Sequence, residues 1–478
     1  MALDLPFNNL KILIVGLART GSAVAKFLAT QGAKVTVTDI KPAEKLVDEV
    51  QALAGLNITF HLGYHPDDAL DPPYTDLIVV NPGIPLEIPY LQRAQAQGLH
   101  LTTESRLFSQ LCPAPIIGIS GSSGKTTTTT MTGLMLERSG YQTYVGGNIG
   151  LPLITALPDI QSQDRVVLEL SSFQLEYFHP ANRVNQAIKP ELRPLLSGWS
   201  PTVGTLLNIT PNHLDRHGTM DAYIRAKAAL VQYQNKDQLT VIGNDDDTTV
   251  KLAESLHTVS YQFGLEKPIK QGVTVIDDQI ILLDQGQVRP ICSVSAIQLR
   301  GRHNLYNILA ACTTAYLAGA TIEALAAVIN SFTGVPHRLE NVATRQDVVY
   351  VNDSIATSPE RMMAALNAYD EPIILLAGGK DKNLPWDDVA QLIIDRVKHL
   401  ILFGQDAALI ADAVQAAQPK SNTMPIRQTE NLEAAVLEAA TVAQANDIVL
   451  LSPGCTSYDA YPDFVARGDH FRALVNDL

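Results

Sequence analysis

The sequence predicts an α/β protein of three domains, in which strands and helices alternate along most of the chain. A length of 478 residues exceeds one ordinary domain and suggests about three. Apolar strand patterns followed by turns and helical patterns recur near the beginning, the middle and the end. Residues 261–298 instead show short alternating runs, which predict a small antiparallel annex. This order is typical of largely parallel sheets covered by helices.

Composition shifts and turn signals place the predicted domain limits. The first domain covers 1–103 and ends before the strand that leads into a glycine-rich loop. The central domain covers 104–334, and the turn at 334–336 separates it from the last domain, 335–478. We expect the first and last domains to be Rossmann-like, and the central domain to combine a parallel sheet with the annex.

Composition excludes several classes of protein. A net charge of −14 argues against a general nucleic-acid binder, because tracking phosphates requires a clustered excess of Lys and Arg. The amino terminus lacks the pattern of a secretory signal, and no segment approaches the ~20 apolar residues of a membrane span. We therefore expect a cytoplasmic protein without membrane insertion. The four cysteines form no CxxC pair, which disfavours a disulfide framework and a thiolate metal site.

The first domain opens with a strand, a glycine turn, a helix and a second strand. The strands are predicted at 11–15 and 34–38, and the second one ends at Asp39. In a dinucleotide-binding unit such an acidic residue accepts hydrogen bonds from ribose hydroxyls. However, the turn at 16–21 has Ala18 in place of the middle glycine of G-x-G-x-x-G, so it is weak support for NAD.

The strongest motif is the segment at 118–127, GISGSSGKTT, between an apolar run and a Thr-rich helical pattern. Glycine lets the backbone approach a polyphosphate, Lys125 adds positive charge, and the Thr126 hydroxyl can ligate Mg²⁺. The first glycine of the full consensus is absent, and the alternative is a polar loop that happens to contain lysine. The predicted nucleotide-binding residues of this loop are Gly121, Ser122, Ser123, Gly124, Lys125, Thr126 and Thr127.

Polar groups follow two strands predicted to lie near this loop. Glu169 ends the predicted strand at 165–170 and is a candidate ligand of Mg²⁺, the alternative being a helix cap. A second predicted strand, 205–210, precedes His213 and His217. Ligands bind at the carboxyl edge of open α/β sheets, so we favour a functional role for His213. For His217 we keep the structural role that most single histidines have.

Three further clusters are candidates for contact with the nucleotide. Asn304 and Asn307 lie three residues apart on a helical face, which suits hydrogen bonds to a base. Arg338 can stabilise a transferring phosphoryl group, and Asp353 can hold a ribose or orient that arginine. Each of these residues also has an ordinary structural role as its alternative.

Taken together, these motifs resemble the Mur ligase family, ATP-dependent amide-forming enzymes of peptidoglycan synthesis. The resemblance spans all three predicted domains in chain order. The segments that carry it are 121–126, 146–150, 169–176, 213–216, 301–307 and 337–338. It implies that the first domain binds UDP rather than NAD. The residues at the corresponding uridine-nucleotide and sugar positions are Arg19, Thr20, Asp39, Asn81 and Asn148.

The resemblance also implies two Mg²⁺ ions beside the ATP. Thr126 and Glu169 would hold one, while His213 and Lys227 would serve the second. The lysine corresponding to Lys227 is carbamylated in relatives, and a carbamate is an anion that can ligate Mg²⁺, whereas an ammonium repels it. The alternative for Lys227 is a solvated lysine on a helix.

Within the family, residues 81–85, 352–354 and 451–468 resemble the branch that adds D-glutamate. The corresponding D-glutamate positions are Thr357, Lys382, Ser457 and Phe464. One departure is Ile355, where many relatives carry lysine, so that this basic contact is absent or comes from elsewhere, with Lys380 as one candidate.

The implied reaction joins D-glutamate to UDP-N-acetylmuramoyl-L-alanine through an acyl phosphate. The implied catalytic residues are Lys125, His213, Lys227 and Arg338. We expect a monomer whose last domain closes about the turn near Gly334. Two alternatives stay open: another amino-acid ligase of the family, including the folylpolyglutamate type, and a catalytically silent nucleotide-binding regulator.

Overall fold

The computed structural model describes most of the chain, and its contacts divide it into two compact units, 1–332 and 333–478. The described residues are 7–70, 75–150, 152–180, 189–256, 258–299, 301–382, 384–418 and 424–478. The predicted limits at 103/104 and 334/335 stay predictions. No helix in these described ranges is both long and apolar enough to cross a membrane.

The first sheet of unit 1 is parallel, with strand order β3-β2-β1-β4-β5. Its strands are β1 (Lys11–Val15), β2 (Lys34–Asp39), β3 (Ile58–Leu62), β4 (Leu77–Val80) and β5 (Leu101–Thr102). The helices of this region are α1 (Arg19–Thr30), α2 (Val47–Gln51), α3 (Pro89–Ala96) and α4 (Glu104–Leu111). Chain order reverses between β1 and β4, so their carboxyl ends frame a crevice of the kind that binds ligands in such sheets.

The second sheet of unit 1 has the order β14-β13-β12-β11-β10-β9-β6-β8-β7. Its strands are β6 (Ile116–Ser120), β7 (Thr143–Gly147), β8 (Arg165–Glu169), β9 (Val203–Leu206), β10 (Leu239–Gly243), β11 (Val259–Phe263), β12 (Gly272–Ile276), β13 (Gln279–Asp284) and β14 (Gln287–Ser293). The helices are α5 (Lys125–Arg138), α6 (Ser172–Leu175), α7 (Leu214–His217), α8 (Met220–Gln232), α9 (Asp247–Glu254), α10 (Arg302–Leu317) and α11 (Ile322–Ser331). The annex is continuous with the main sheet, because β12 pairs parallel with β11 and antiparallel with β13.

The predicted strand at 205–210 is wrong at its end, since β9 stops at Leu206. The Leu207 amide still donates to the Ser120 carbonyl of β6 at 2.9 Å, but from Ile209 the backbone amides bond to side chains instead of a neighbouring strand. The Ile209 amide donates to Asp246 Oδ2 at 3.0 Å, and the Thr210 amide donates to Ser122 Oγ at 3.0 Å. Apolar periodicity does not register these side-chain acceptors, because they lie far away in sequence.

Unit 2 has a sheet of order β15-β16-β20-β17-β18-β19, parallel except for β15. Its strands are β15 (Glu340–Arg345), β16 (Val348–Asn352), β17 (Ile373–Gly378), β18 (Val397–Phe403), β19 (Ile426–Gln428) and β20 (Ile448–Gly454). Its helices are α12 (Pro359–Leu366), α13 (Asp387–Arg396), α14 (Ala407–Ala417), α15 (Leu432–Val442) and α16 (Phe464–Asn476). Successive residues of β17 pack into hydrophobic clusters on opposite faces of the sheet. The α/β fold class with its three sheets is thus confirmed.

Candidate active site

The glycine-rich loop joins the buried end of β6 to the start of α5. Gly124 has φ of +83°, and a Cβ atom there would lie 2.2 Å from Asn307 Oδ1. A Cβ at Gly121 would lie 2.8 Å from Leu207 Cβ. Both positions therefore require glycine, and α10, which carries Asn307, packs directly against the loop. The first amides of α5 have no helical acceptor, which suits an anion at this point.

The Lys125 side chain folds back over the loop. Its Nζ donates to the carbonyl oxygens of Gly121 at 3.0 Å and Ser122 at 3.1 Å. The next residues of α5, Thr126 and Thr127, belong to the first turn of the helix, and Thr126 is buried. The ammonium is thus held at the mouth of the loop, where it can meet a polyphosphate.

Two serines fasten the loop to the segment that follows β9. Ser122 Oγ donates to the Thr210 carbonyl at 2.9 Å, and the Ser123 amide donates to Asn208 Oδ1 at 2.9 Å. Asn208 is a site residue that sequence reasoning missed as an individual contact. Its only signal was membership of a polar run after a strand. Asn307 on α10 in turn donates to Asn304 Oδ1 at 3.2 Å.

Glu169 ends β8 next to the loop strand, paired in register with Ile119 of β6. Its side chain is 2% exposed, and Oε1 accepts from Asn148 Nδ2 at 2.8 Å. The other oxygen, Oε2, is buried without a hydrogen-bond partner. Burying a carboxylate oxygen without a partner costs free energy unless a cation binds to it.

These residues fit a Mg²⁺ ion that binds together with a nucleotide. Glu169 offers an unpartnered buried oxygen, and Thr126, in the first turn of α5, is also buried. The described part of the chain holds no cluster of three or more His, Cys, Asp or Glu suited to a metal ion. Mg²⁺ usually takes one or two protein carboxylates, several waters and substrate phosphates, so Glu169 can serve as its protein carboxylate.

Lys227 on α8 is 1% exposed and points at the same loop. Its Nζ donates to the Gly121 carbonyl at 2.8 Å and to Ser120 Oγ at 3.2 Å. Burial lowers the pKa of Lys227 well below its usual value, and the neighbouring charge of Lys125 lowers it further, while Glu169 opposes the shift. The solvated-lysine alternative is therefore wrong, and a neutral amine at this place is a nucleophile.

An aromatic cluster surrounds the two histidines near α7. His213, in a left-handed conformation at φ of +53°, has its ring 5.0 Å from the ring of Phe173. His217 stacks on the same phenylalanine at 5.3 Å and lies 2.9 Å from both Glu176 Oε1 and Ser172 Oγ. The contacts of His217 agree with its predicted structural role.

A cavity of about 740 Å³ opens at the crevice of the first sheet, and Asp39 and Asn81 line it. The Asp39 carboxylate accepts from the amides of Leu17 and Lys41, both at 2.8 Å. Arg19 and Thr20 begin α1, directly after the glycine turn. Asn148 is placed differently, beside Glu169. The sequence predicted these residues as one nucleotide-binding set, and that assignment stays a prediction.

Two aromatic residues that sequence reasoning missed also line this cavity. His65 and Tyr90 stack with ring centroids 4.7 Å apart, and burial lowers the pKa of His65. Neither belongs to a recognisable motif, and the two are brought together only by the packing of α3 on the sheet. Their aromatic faces suit a planar heterocycle.

The predicted amino-acid residues of unit 2 lie in connected loops. Lys382 Nζ donates to Thr357 Oγ1 at 3.1 Å, and Ser354 Oγ donates to the Phe464 carbonyl at 2.8 Å. Ser457 is 2% exposed in the segment that follows β20.

Buried Arg467 holds these loops together. It is 0% exposed and donates to the carbonyl oxygens of Ser354, Cys455 and Thr456 at 3.0, 3.1 and 3.2 Å. The guanidinium therefore satisfies backbone groups that water cannot reach.

Asp353 is held by the backbone and by β20. Its Oδ2 accepts from Ser452 Oγ at 2.9 Å, and its Oδ1 accepts from the Leu339 amide at 3.2 Å. Burial raises the pKa of Asp353 to about 7, and the charge of Arg338 partly offsets this. The predicted orientation of Arg338 by Asp353 stays a prediction.

Comparison with known proteins agrees with this geometry along the whole chain. Family models match at 10–103 (Mur ligase MurD-like, N-terminal domain), 119–315 (Mur ligase middle domain) and 337–455 (Mur ligase, glutamate ligase domain). A UDP-N-acetylmuramoylalanine--D-glutamate ligase of Alkaliphilus metalliredigens is 38% identical over 472 residues, covering 98% of this chain and 99% of the relative. The chain belongs to the Mur ligase family. A second relative with the same name, from Symbiobacterium thermophilum, is 39% identical over 468 residues, covering 97% of each chain.

Solved structures similar to this Mur ligase support the fold alone. The UDP-N-acetylmuramate-alanine ligase of Thermotoga maritima matches with a TM-score of 0.53 at 17% identity, covering 98% of this chain and 100% of that one. A MurF structure from Acinetobacter baumannii matches with a TM-score of 0.52 at 17% identity, covering 98% and 93%.

Proposed function

We propose that this Mur ligase adds D-glutamate to UDP-N-acetylmuramoyl-L-alanine at the expense of ATP, as a cytoplasmic monomer in peptidoglycan precursor synthesis. The carrying observation is the convergence of Lys125, buried Lys227 and the unpartnered Glu169 oxygen at one glycine-rich loop. The D-glutamate specificity rests on the names of the full-length relatives.

The reaction has two steps. First, an oxygen of the L-alanine carboxylate attacks the γ-phosphorus of ATP, ADP leaves, and an acyl phosphate forms. Next, the amine of D-glutamate attacks the acyl carbon, loses a proton and displaces phosphate. Both partners of the first step are anionic, so Lys125 and Arg338 act by offsetting negative charge. His213 is proposed to take the amine proton of the second step.

Thr126 and Glu169 would hold one Mg²⁺, while His213 and Lys227 would serve a second. Bound Mg²⁺ would neutralise charge on the transferring phosphoryl group. Asn304, Asn307 and Asp353 keep their predicted roles toward the base and ribose of ATP. Arg19, Thr20, Asp39, Asn81 and Asn148 are proposed for the uridine nucleotide and its sugar.

Lys227 is proposed to act as a carbamate. Its neutral amine adds to the carbon of CO₂, an N–C bond forms, one proton leaves, and an anion results that no longer repels Mg²⁺. The lowered pKa of Lys227, caused first by burial and then by the charge of Lys125, favours the neutral amine and supports this addition.

The carbamate has a direct spectroscopic test. Protein equilibrated with ¹³C-labelled bicarbonate should show a carbamate resonance in ¹³C spectra, and Lys227→Arg should abolish it. Lys251→Arg, a change at an exposed lysine of α9, is the control and should leave the resonance intact. A wild-type protein without the resonance would refute the modification.

The amino acid is proposed to bind unit 2 through Thr357, Lys382, Ser457 and Phe464. Lys382 supplies the charge that a carboxylate requires, and Arg467 fixes the surrounding backbone.

The deciding experiment measures phosphate release with ATP, Mg²⁺ and UDP-N-acetylmuramoyl-L-alanine. D-glutamate is compared with L-glutamate, L-alanine, meso-diaminopimelate and L-lysine. Release with D-glutamate alone is expected. Release with another amino acid would move the specificity within the family, and no release with any would favour the silent nucleotide binder.

A further inference from the structure

Two cationic side chains, those of Arg361 and Lys382, donate hydrogen bonds to a short turn between β16 and α12. The Thr357 amide donates to the Ile355 carbonyl at 2.9 Å, so the backbone folds tightly here. The same carbonyl accepts from Arg361 Nη1 at 3.1 Å. Lys382 Nζ donates to the Thr357 hydroxyl at 3.1 Å. A guanidinium and an ammonium are thereby fastened to one turn.

Neither cation forms a close ion pair with a described residue, although the charge of Arg361 also acts on buried Asp353. Within the described ranges, neither Arg361 nor Lys382 has a carboxylate oxygen within 4.0 Å. The pKa of Lys382 is lowered first by desolvation and next by the charge of Arg361, an effect larger than the opposing one of Asp381. The repulsion between two like charges that influence each other in this way decreases when an anion binds between them.

Both side chains are open to a small ligand from solvent. The bond to Ile355 uses one of the five guanidinium N–H donors, so others remain for a carboxylate. A purely structural role of Arg361 would explain its bond to the Ile355 carbonyl. It would not explain why a second cation, Lys382, bonds to the same turn.

We propose that Arg361 and Lys382 together bind one carboxylate of the amino-acid substrate, with Arg361 as the second cation of the pair. This rests on the proposed function, in which unit 2 takes the amino acid. It also assigns to Arg361, rather than to Lys380, the basic contact that is missing at Ile355.

The test compares Arg361→Gln, Arg361→Lys and the control Arg427→Gln, the last at a side chain that is 70% exposed in unit 2. Steady-state phosphate release is measured while D-glutamate, ATP and the UDP substrate are varied in turn. We expect Arg361→Gln to raise KM for D-glutamate about 10- to 100-fold, as loss of a charged hydrogen bond does. The kcat and the other two KM values should change less than about threefold, Arg361→Lys should recover part of the loss, and Arg427→Gln should behave as wild type.

The outcomes separate this inference from the proposed function. An active wild type together with a D-glutamate KM unchanged in Arg361→Gln would overturn the two-cation site alone. Equal increases in all three KM values would mark Arg361 as structural and would also overturn it. An inactive wild type would refute the proposed function, and calorimetry of D-glutamate binding to wild type and Arg361→Gln would then test the pair directly, with equal or absent binding counting against it.

Discussion

The glycine-rich loop region of unit 1 and the Thr357–Lys382 region of unit 2 hold charge in opposite ways. In unit 1 two of the functional charges are themselves buried, Glu169 at 2% and Lys227 at 1% exposure. In unit 2 the cation Lys382 is exposed, while a different cation, Arg467, is fully buried and holds the backbone. In the first region, buried charged residues are themselves the ones proposed to act in the reaction. In the second, one cation is proposed to bind the substrate and a different one holds the backbone.

This difference has a physical cause. A buried charge has its pKa and its affinity for cations set by desolvation, which suits groups that must meet a metal ion and a phosphoryl group. An exposed charge can be reached directly from solvent, which suits reversible capture of a small acid. Substitutions in the two regions should therefore change different measured quantities, such as the rate of phosphate release in unit 1 and the stability in unit 2.

The largest effect is expected for Lys125→Ala. Removing the ammonium bonded to the loop carbonyls should lower phosphate release by about 1,000-fold or more, because charge developing on the phosphoryl group loses a partner. The measurement is release under saturating substrates, with Lys251→Ala as the matched control. Activity near wild type in Lys125→Ala would remove the loop from the reaction.

Arg467→Met should act on stability rather than on chemistry. The buried carbonyl oxygens of Ser354 and Cys455 would lose their donor, and that of Thr456 would keep only the Lys380 amide. Unit 2 should therefore lose about 3 kcal/mol of unfolding free energy. Trp386 is buried in unit 2, and its fluorescence in a Trp199→Phe background reports the urea midpoint of that unit. Arg427→Met is the exposed control. A urea midpoint equal to that of the control would mean that Arg467 does not stabilise the backbone of unit 2.

The third prediction concerns the dependence of the stability of unit 2 on pH. The native pKa of Asp353 is raised to about 7 by burial, so between about pH 4 and pH 7 the native state holds a proton that the unfolded state has released. The contribution of Asp353 to stability is present at low pH and is lost as the pH rises through 7, with a slope of at most about 1.4 kcal/mol per pH unit.

Asp353→Asn should flatten that slope in the Trp386 signal. Glu104 of unit 1, whose pKa burial likewise raises to about 7, supplies the control. Glu104→Gln should leave the unit 2 profile unchanged. An unaltered profile in Asp353→Asn would show that the carboxyl is ionised in the native protein at pH 5 to 6.

Sequence patterns predicted the fold class because hydrophobic period and turn residues act locally. The strand predicted at 11–15, the strand predicted at 165–170 except for its last residue, and the helical pattern after the glycine-rich loop were found in this way. The prediction failed at the end of β9, where the amides of Ile209 and Thr210 turn to the side chains of distant residues.

The chain by itself determined the loop that suits phosphate, the carboxylate at the end of β8 and the family to which they belong. These features are short or periodic, so they can be recognised in the sequence without knowing how the chain packs. Tertiary structure decided that Lys227 is buried against Gly121, that Asn307 reaches Gly124, and that Arg361 shares a turn with Lys382. Burial and electrostatic environment depend on which distant segments meet, and no local pattern contains that information.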